Sequence, residues 1–182
     1  MSTVDRHRQS VYDAEDVAFG GTSFDEPVPF ADAADLVGAF CVAGWWTSLG
    51  LPIPKVLPTR IDSSRSYAAC DGDPVVHLAP AGCTAATIAH ELAHVLAHRL
   101  GGREEPAHGP AFRRADIALA GALMGPVAAG RLSAAFAGAG LDLGRELDLG
   151  PAPTAKADFW TTWRSARTLA AATPAERGPI AL

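Results

Sequence analysis

Cysteine is scarce: Cys41, Cys70 and Cys83 are an odd number, widely separated and in no CxxC spacing, so neither a disulfide framework nor a four-cysteine zinc knuckle is expected. They read as reduced thiols, and the expected compartment is the cytoplasm. Basic charge is also short, with 15 Lys+Arg against 20 Asp+Glu, a net charge of -5 and a pI near 5.6. That balance argues against a protein whose main work is neutralising phosphates along a duplex, and it leaves no clear nucleic-acid-binding module. Met1 to Asp16 hold Arg6, Arg8, Asp13, Glu15 and Asp16 without an apolar run, so no secretory signal is expected. The uncharged stretch Leu36 to Pro54 has 19 residues, but Gly38, Gly44, Gly50, Pro52 and Pro54 interrupt it. What remains is about 14 residues of continuous helix, too short to cross a bilayer, and no membrane association is expected.

What is present suffices for one well-buried domain: 182 residues, 48% of them hydrophobic, with a mean hydropathy of +0.12. Residues 1–140 are expected to form that domain, and 141–182 a C-terminal extension with a linker and a short helix. Phe30 to Leu49 carries Leu36, Phe40, Ala43 and Trp46 on one helical face, flanked by Val37, Cys41 and Trp45. Three β-like stretches follow, Lys55 to Ile61, Arg65 to Cys70 and Val75 to Ala79, with Asp71-Gly72-Asp73-Pro74 as a hairpin turn. Thr84 is a plausible N-cap for a helix over Ala85 to Leu100, stopped by Gly101-Gly102. Further helices are expected from Pro110 to a break at Gly125-Pro126, and from Val127 to Ala137. Leu141-Asp142-Leu143-Gly144 recurs as Leu147-Asp148-Leu149-Gly150, two copies that make no solenoid, before a linker-like Pro151-Ala152-Pro153. Phe159 to Ala172 reads as a last helix packing on the core, and the residues from Thr173 read as disordered.

Chemistry concentrates in His90-Glu91-Leu92-Ala93-His94. Positions four apart lie on one face of an α-helix and can offer two imidazole nitrogens to one ion. Glu91 sits about 100° around from His90, beside such an ion rather than on it, where a carboxylate can take a proton from activated water. Zinc in a hydrolytic site wants a third protein ligand and one open position. His108 is the candidate, since the chain after Gly101-Gly102 is long enough to reach back. Glu104, Glu105 and Asp116 compete with it, and Asp116 also suits an acceptor for an imidazole N–H. Leu100 stands where the metzincin pattern needs a histidine, which excludes that class. His98 extends the four-residue spacing, but Val95 occupies the position equivalent to Glu91, so His98 reads as a helix-surface residue or a support to the ligands. Tyr67 is a candidate for stabilising an oxyanion, with a core or rim tyrosine as the plainer reading. Cys70 or Cys83 as a removable fourth ligand is weighed against small buried residues, the better account.

HELAHVLAHRL (His90 to Leu100) followed by HGPAF (His108 to Phe112) resembles the SprT-like branch of zinc metallopeptidases, in which a helix-borne HExxH is completed by the histidine of an HGxxF-type motif. With RQSVYDAED (Arg8 to Asp16) and SYAAC (Ser66 to Cys70), the chain is similar to an uncharacterised family of metallohydrolases of actinobacteria and their phages, from about Arg6 to Gly140. The resemblance implies His90, His94 and His108 as zinc ligands and Glu91 as catalytic base. It also implies an α+β, minimal zincin-like fold, a small sheet of about three strands preceding the active-site helix, with flanking helices. No cysteine follows Cys83 to build the zinc ribbon of relatives that work on chromosomal DNA, so the resemblance does not extend to DNA–protein crosslinks. The expected function is a zinc-dependent hydrolase, a metallopeptidase acting on a protein or peptide. The alternatives are a zinc-stabilised interaction module without turnover and a phage or mobile-element factor acting on a host regulator.

Overall fold

The computed structural model describes residues 5–60, 65–101, 106–147, 149 and 159–171. Its central element is α4 (Ala85–Gly101), which buries Ile88, Ala89, Leu92, Ala93, Val95 and Leu96 around most of its circumference. A helix apolar on nearly every side belongs in the middle of a domain. Its entry is fixed by Thr84, whose Oγ1 accepts from the Thr87 N–H at 3.0 Å, the N-cap read from the sequence. The carbonyl of Phe24 accepts from the Ala86 N–H at 3.1 Å, tying the loop before α2 to the same end.

Two helices follow: α5 (Pro110–Met124) lies on α4, and α6 (Pro126–Gly138) lies on α5. Gly125, at φ 93, makes the corner between them, and Pro126 starts α6 where its missing N–H costs nothing. Preceding α4 are α1 (Arg8–Phe19), α2 (Phe30–Val42), α3 (Trp45–Ser48) and the strands β1 (Lys55–Pro58), β2 (Tyr67–Ala69) and β3 (Val75–Leu78). The sheet order is β1-β3-β2, with β1 parallel and β2 antiparallel to β3. Among the described residues the fold is thus a mixed α+β arrangement of seven helices and a three-stranded sheet.

Two expectations change, and one helix has no counterpart in the sequence reading. The helix expected over Phe30 to Leu49 is two helices, because Gly44 takes φ 106, and α3 restarts with Trp46 buried and its Nε1 donating to the Pro52 carbonyl at 3.0 Å. The strands are shorter than the β-like stretches; β1 ends at Pro58, and Ile61 lies outside the described residues. The polar N-terminal stretch is a 12-residue helix, α1, which packs on α6 through Val11, Ala14, Ala18 and Phe19. No helix of the described residues is long and apolar enough to cross a membrane, and the uncharged run yields an α2 of only 13 residues.

The segment after residue 140 shares the core. Leu141 is buried, Arg114 donates to the carbonyls of Leu143 and Gly144 at 2.8 and 2.6 Å, and Gly144 passes so close to Pro110 that a Cβ would sit 2.6 Å from the proline ring. The last helix, α7 (Phe159–Ala171), buries Trp160 and packs on α5, as the core-packing reading expected. Arg167 pairs with Asp32 and Asp35 of α2, and Arg164 with Glu26. Pro151 to Pro153 and the residues from Thr173 lie outside the described residues.

Candidate metal centre

His90 and His94 stand one turn apart on the buried length of α4, and their Nε2 atoms are 3.2 Å from each other. His108 comes from the turn before α5, closed by the Gly109 N–H donating to the Pro106 carbonyl at 2.8 Å, and its Nε2 lies 3.3 Å from that of His90. One nitrogen from each ring thus falls within 4.8 Å of the other two. Two nitrogens bound at about 2.0–2.1 Å to one tetrahedral zinc stand about 3.3 Å apart. The observed separations fit that requirement.

The opposite edges of these rings decide the tautomers. Nδ1 of His90 donates to Glu15 Oε1 at 2.6 Å, and Nδ1 of His108 donates to Asp5 Oδ2. With Glu15 and Asp5 as ionised acceptors, each Nδ1 carries the hydrogen and the Nε2 of His90 and of His108 is left with a lone pair. The Ala107 backbone hydrogen-bonds the His94 ring. Burial lowers the pKa of His90, His94 and His108, His94 furthest, which keeps the rings neutral. Lone pairs facing one another at these separations repel unless a cation lies between them, the electrostatic side of the same spacing.

Aromatic walls hold the rings. Phe112, in the first turn of α5, touches all three imidazoles, with centroid distances of 4.9, 4.5 and 4.8 Å to His90, His94 and His108. Tyr12 packs on the rings of His90 and His108 at 5.3 and 5.4 Å. Arg113, 2% exposed, donates from Nη1 to the His108 carbonyl at 2.9 Å and from Nε to the Asp142 carbonyl at 2.8 Å, so the segment after residue 140 braces the third histidine.

Glu91 is buried next to the triad, with burial pushing its carboxyl up to about 7. The Ala68 backbone of β2 hydrogen-bonds this carboxylate, while Oε2 is buried without a partner. An unpartnered buried oxygen is costly unless something is meant to meet it. Glu91 and His90 line a polar cleft of about 700 Å³, whose opposite wall is the α1 stripe of Arg8, Tyr12, Glu15 and Phe19.

Other candidates fall elsewhere. The carboxylate on the His90 N–H is Glu15; Asp116, which suited that place, is fully buried behind it and hydrogen-bonds Glu15. Burial pushes both acids up, Glu15 to about 8, so this pair retains a proton between two crowded carboxyls. Tyr67 is 52% exposed and stacks on His77 at 4.3 Å. His98 is half-buried one turn past His94 and joins no cluster among the described residues. Cys83 is buried with its Sγ donating to the Ala79 carbonyl, and Cys70 is a half-buried free thiol. Glu104 and Glu105 lie outside the described residues. Sequence reasoning missed Asp5, Tyr12 and Glu15; the signal available was the spacing Arg8, Tyr12, Glu15, Phe19, one helical stripe set beside the apolar one.

Comparison with protein-family models, with curated proteins and with solved structures finds no match to this chain.

Proposed function

We propose that the protein is a zinc-dependent hydrolase, and within that class a metallopeptidase of zincin type, resembling the SprT-like branch and acting on a protein or peptide in the cytoplasm. One observation carries the reading: the Nε2 of His90 stands 3.2 and 3.3 Å from those of His94 and His108, the spacing a shared tetrahedral ion needs, with Glu91 on the adjoining face of the same helix.

His90, His94 and His108 would hold the ion through Nε2. When bound, zinc supplies Lewis-acid polarisation of a carbonyl and lowers the pKa of water to about 7. Glu91 takes the proton of the attacking water as the water oxygen bonds the carbonyl carbon, and returns it to the amide nitrogen as the C–N bond breaks. The Ala68 backbone keeps the Glu91 carboxylate oriented during both transfers. Strand β2 is an edge of the sheet beside Glu91 and can align an extended peptide through main-chain hydrogen bonds. An interaction module that presents the aromatic C-terminal helix to a partner is disfavoured, because Trp160 of that helix is buried against the core. Free thiols at Cys41, Cys70 and Cys83 suit a reducing compartment.

Metal analysis of the purified protein tests the reading, with one zinc per chain expected and a strong loss in His90→Ala, His94→Ala and His108→Ala. Glu91→Gln should keep the zinc and lose turnover of an unfolded protein substrate by orders of magnitude. A Glu91→Gln protein as active as its parent ends the general-base mechanism.

A further inference from the structure

Arg8 stands at the start of α1, exposed, with its guanidinium 5.5 Å over the ring of Tyr12, the same ring that packs on His90 and His108. One aromatic ring therefore separates a fixed cation from the candidate metal ligands. Of the nearby carboxylates, Asp5 is engaged by His108 through Oδ2 and Glu15 by His90, while Asp5 Oδ1 has no hydrogen-bond partner. Among the described residues Arg8 forms no ion pair. All three imidazoles feel its positive charge.

A guanidinium without an ion-pair partner is a ready donor for an incoming anion. Arg8 lines the same cleft as His90 and Glu91, whose other charged walls include Asp5, Glu15 and Asp16, so an anionic group entering the cleft finds its partner at the guanidinium. The planar guanidinium matches a carboxylate with two parallel N–H donors, and the tyrosine face beneath it limits its freedom beforehand.

We propose that Arg8 is a specificity determinant that binds a substrate carboxylate, so that the protein selects peptides with an acidic group near the bond placed over Glu91, in the cleft that both residues line. This rests on the peptidase reading and names its substrate class. The carboxylate is a C-terminal α-carboxylate or an Asp or Glu side chain.

Zinc-loaded Glu91→Gln protein separates these cases by binding alone. The probes are fluorescein-labelled Ala/Ser octapeptides with one Glu or one Gln placed at each position in turn, each made with a free and with an amidated C-terminus. Carboxylate forms should bind at least about tenfold tighter than their neutral counterparts, with the Glu/Gln pairs and the free/amidated pairs telling the two sources apart. Adding Arg8→Gln should erase that preference, Arg8→Lys should keep part of it, and Arg8→Glu should turn it toward peptides carrying Lys in place of Glu. Unchanged zinc content and circular dichroism check that the variants are folded. Equal affinity for charged and neutral forms, a preference that survives Arg8→Gln, or no binding by any probe overturns the proposal. Hydrolysis of the same peptides by the protein with Glu91 intact is scored separately: a carboxylate preference without cleavage removes the peptidase reading and leaves the recognition by Arg8 standing.

Discussion

Glu15 Oε1 accepts a hydrogen bond from Nδ1 of His90 at 2.6 Å, although 75 residues separate the two in the chain. The contact fixes the tautomer of His90 and ties α1 to the helix that carries the candidate ligands. Partners of this kind typically control metal affinity by about 10–100-fold. Glu15→Gln should therefore weaken zinc binding by about that factor while leaving the helix content unchanged, as read by competition with a chromophoric chelator. Unaltered affinity would show that His90 needs no carboxylate behind it.

Asp5, three residues ahead of α1, repeats the arrangement on His108, so the N-terminal segment is held to the site by two carboxylates and to the core by the packing of α1 on α6. Removing zinc with a chelator should raise amide hydrogen exchange across Arg8–Phe19 while α5 stays protected. Equal protection of α1 with and without metal would mean that its packing on α6 alone holds it.

Phe112 is 1% exposed and touches all three imidazoles. Truncation to alanine leaves a cavity behind the ligands, at a cost of about 3–5 kcal/mol, whereas Phe112→Leu should cost less. Denaturant melts of the metal-free protein read the packing loss, and zinc titration reads the loosened rings. A Phe112→Ala protein with parental stability contradicts the packing.

Arg113 bonds the carbonyls of His108 and Asp142 at once. Arg113→Ala leaves both acceptors without their donor in a buried place, with an expected loss of about 2–4 kcal/mol and weaker zinc binding through His108. Arg113→Lys keeps the charge and loses the fork, so it should restore little of either. Recovery of both by lysine would reduce the role of Arg113 to charge alone.

Burial pushes the Cys41 thiol from 9.0 up to about 12. The folded value lies above the unfolded one, so the proton is held more tightly in the folded state. The contribution of Cys41 to stability is complete below pH 9 and falls as pH rises from about 9 toward about 12, by at most about 1.4 kcal/mol per pH unit. Denaturant midpoints measured at pH 8, 9 and 10 should decline, and Cys41→Val should flatten the decline. Iodoacetamide at pH 8 should label half-buried Cys70 before buried Cys41 and Cys83.

The HExxH spacing placed His90, Glu91 and His94 on one helix because helical periodicity is local: four residues bring two side chains to one face whatever surrounds them. Local rules also gave the Thr84 cap, the Gly125-Pro126 corner and the β2–β3 hairpin. His108 was nameable from chain reach, but its 3.3 Å approach to His90 depends on Gly109-Pro110 starting α5 against α4. The parallel pairing of β1 with β3 and the split of the helix at Gly44 were equally beyond local reading.

The sequence alone determined which side chains can ligate and which can take a proton, since those capacities belong to the residues and to a single turn of helix. Only the tertiary structure decided who stands behind them: Asp5, Tyr12 and Glu15 reach the histidines because α1 packs across α6, and Asp116 is displaced from the His90 N–H by Glu15. The physical reason is that a hydrogen bond across 75 residues leaves no periodic trace in the chain, because the docking of whole helices sets it.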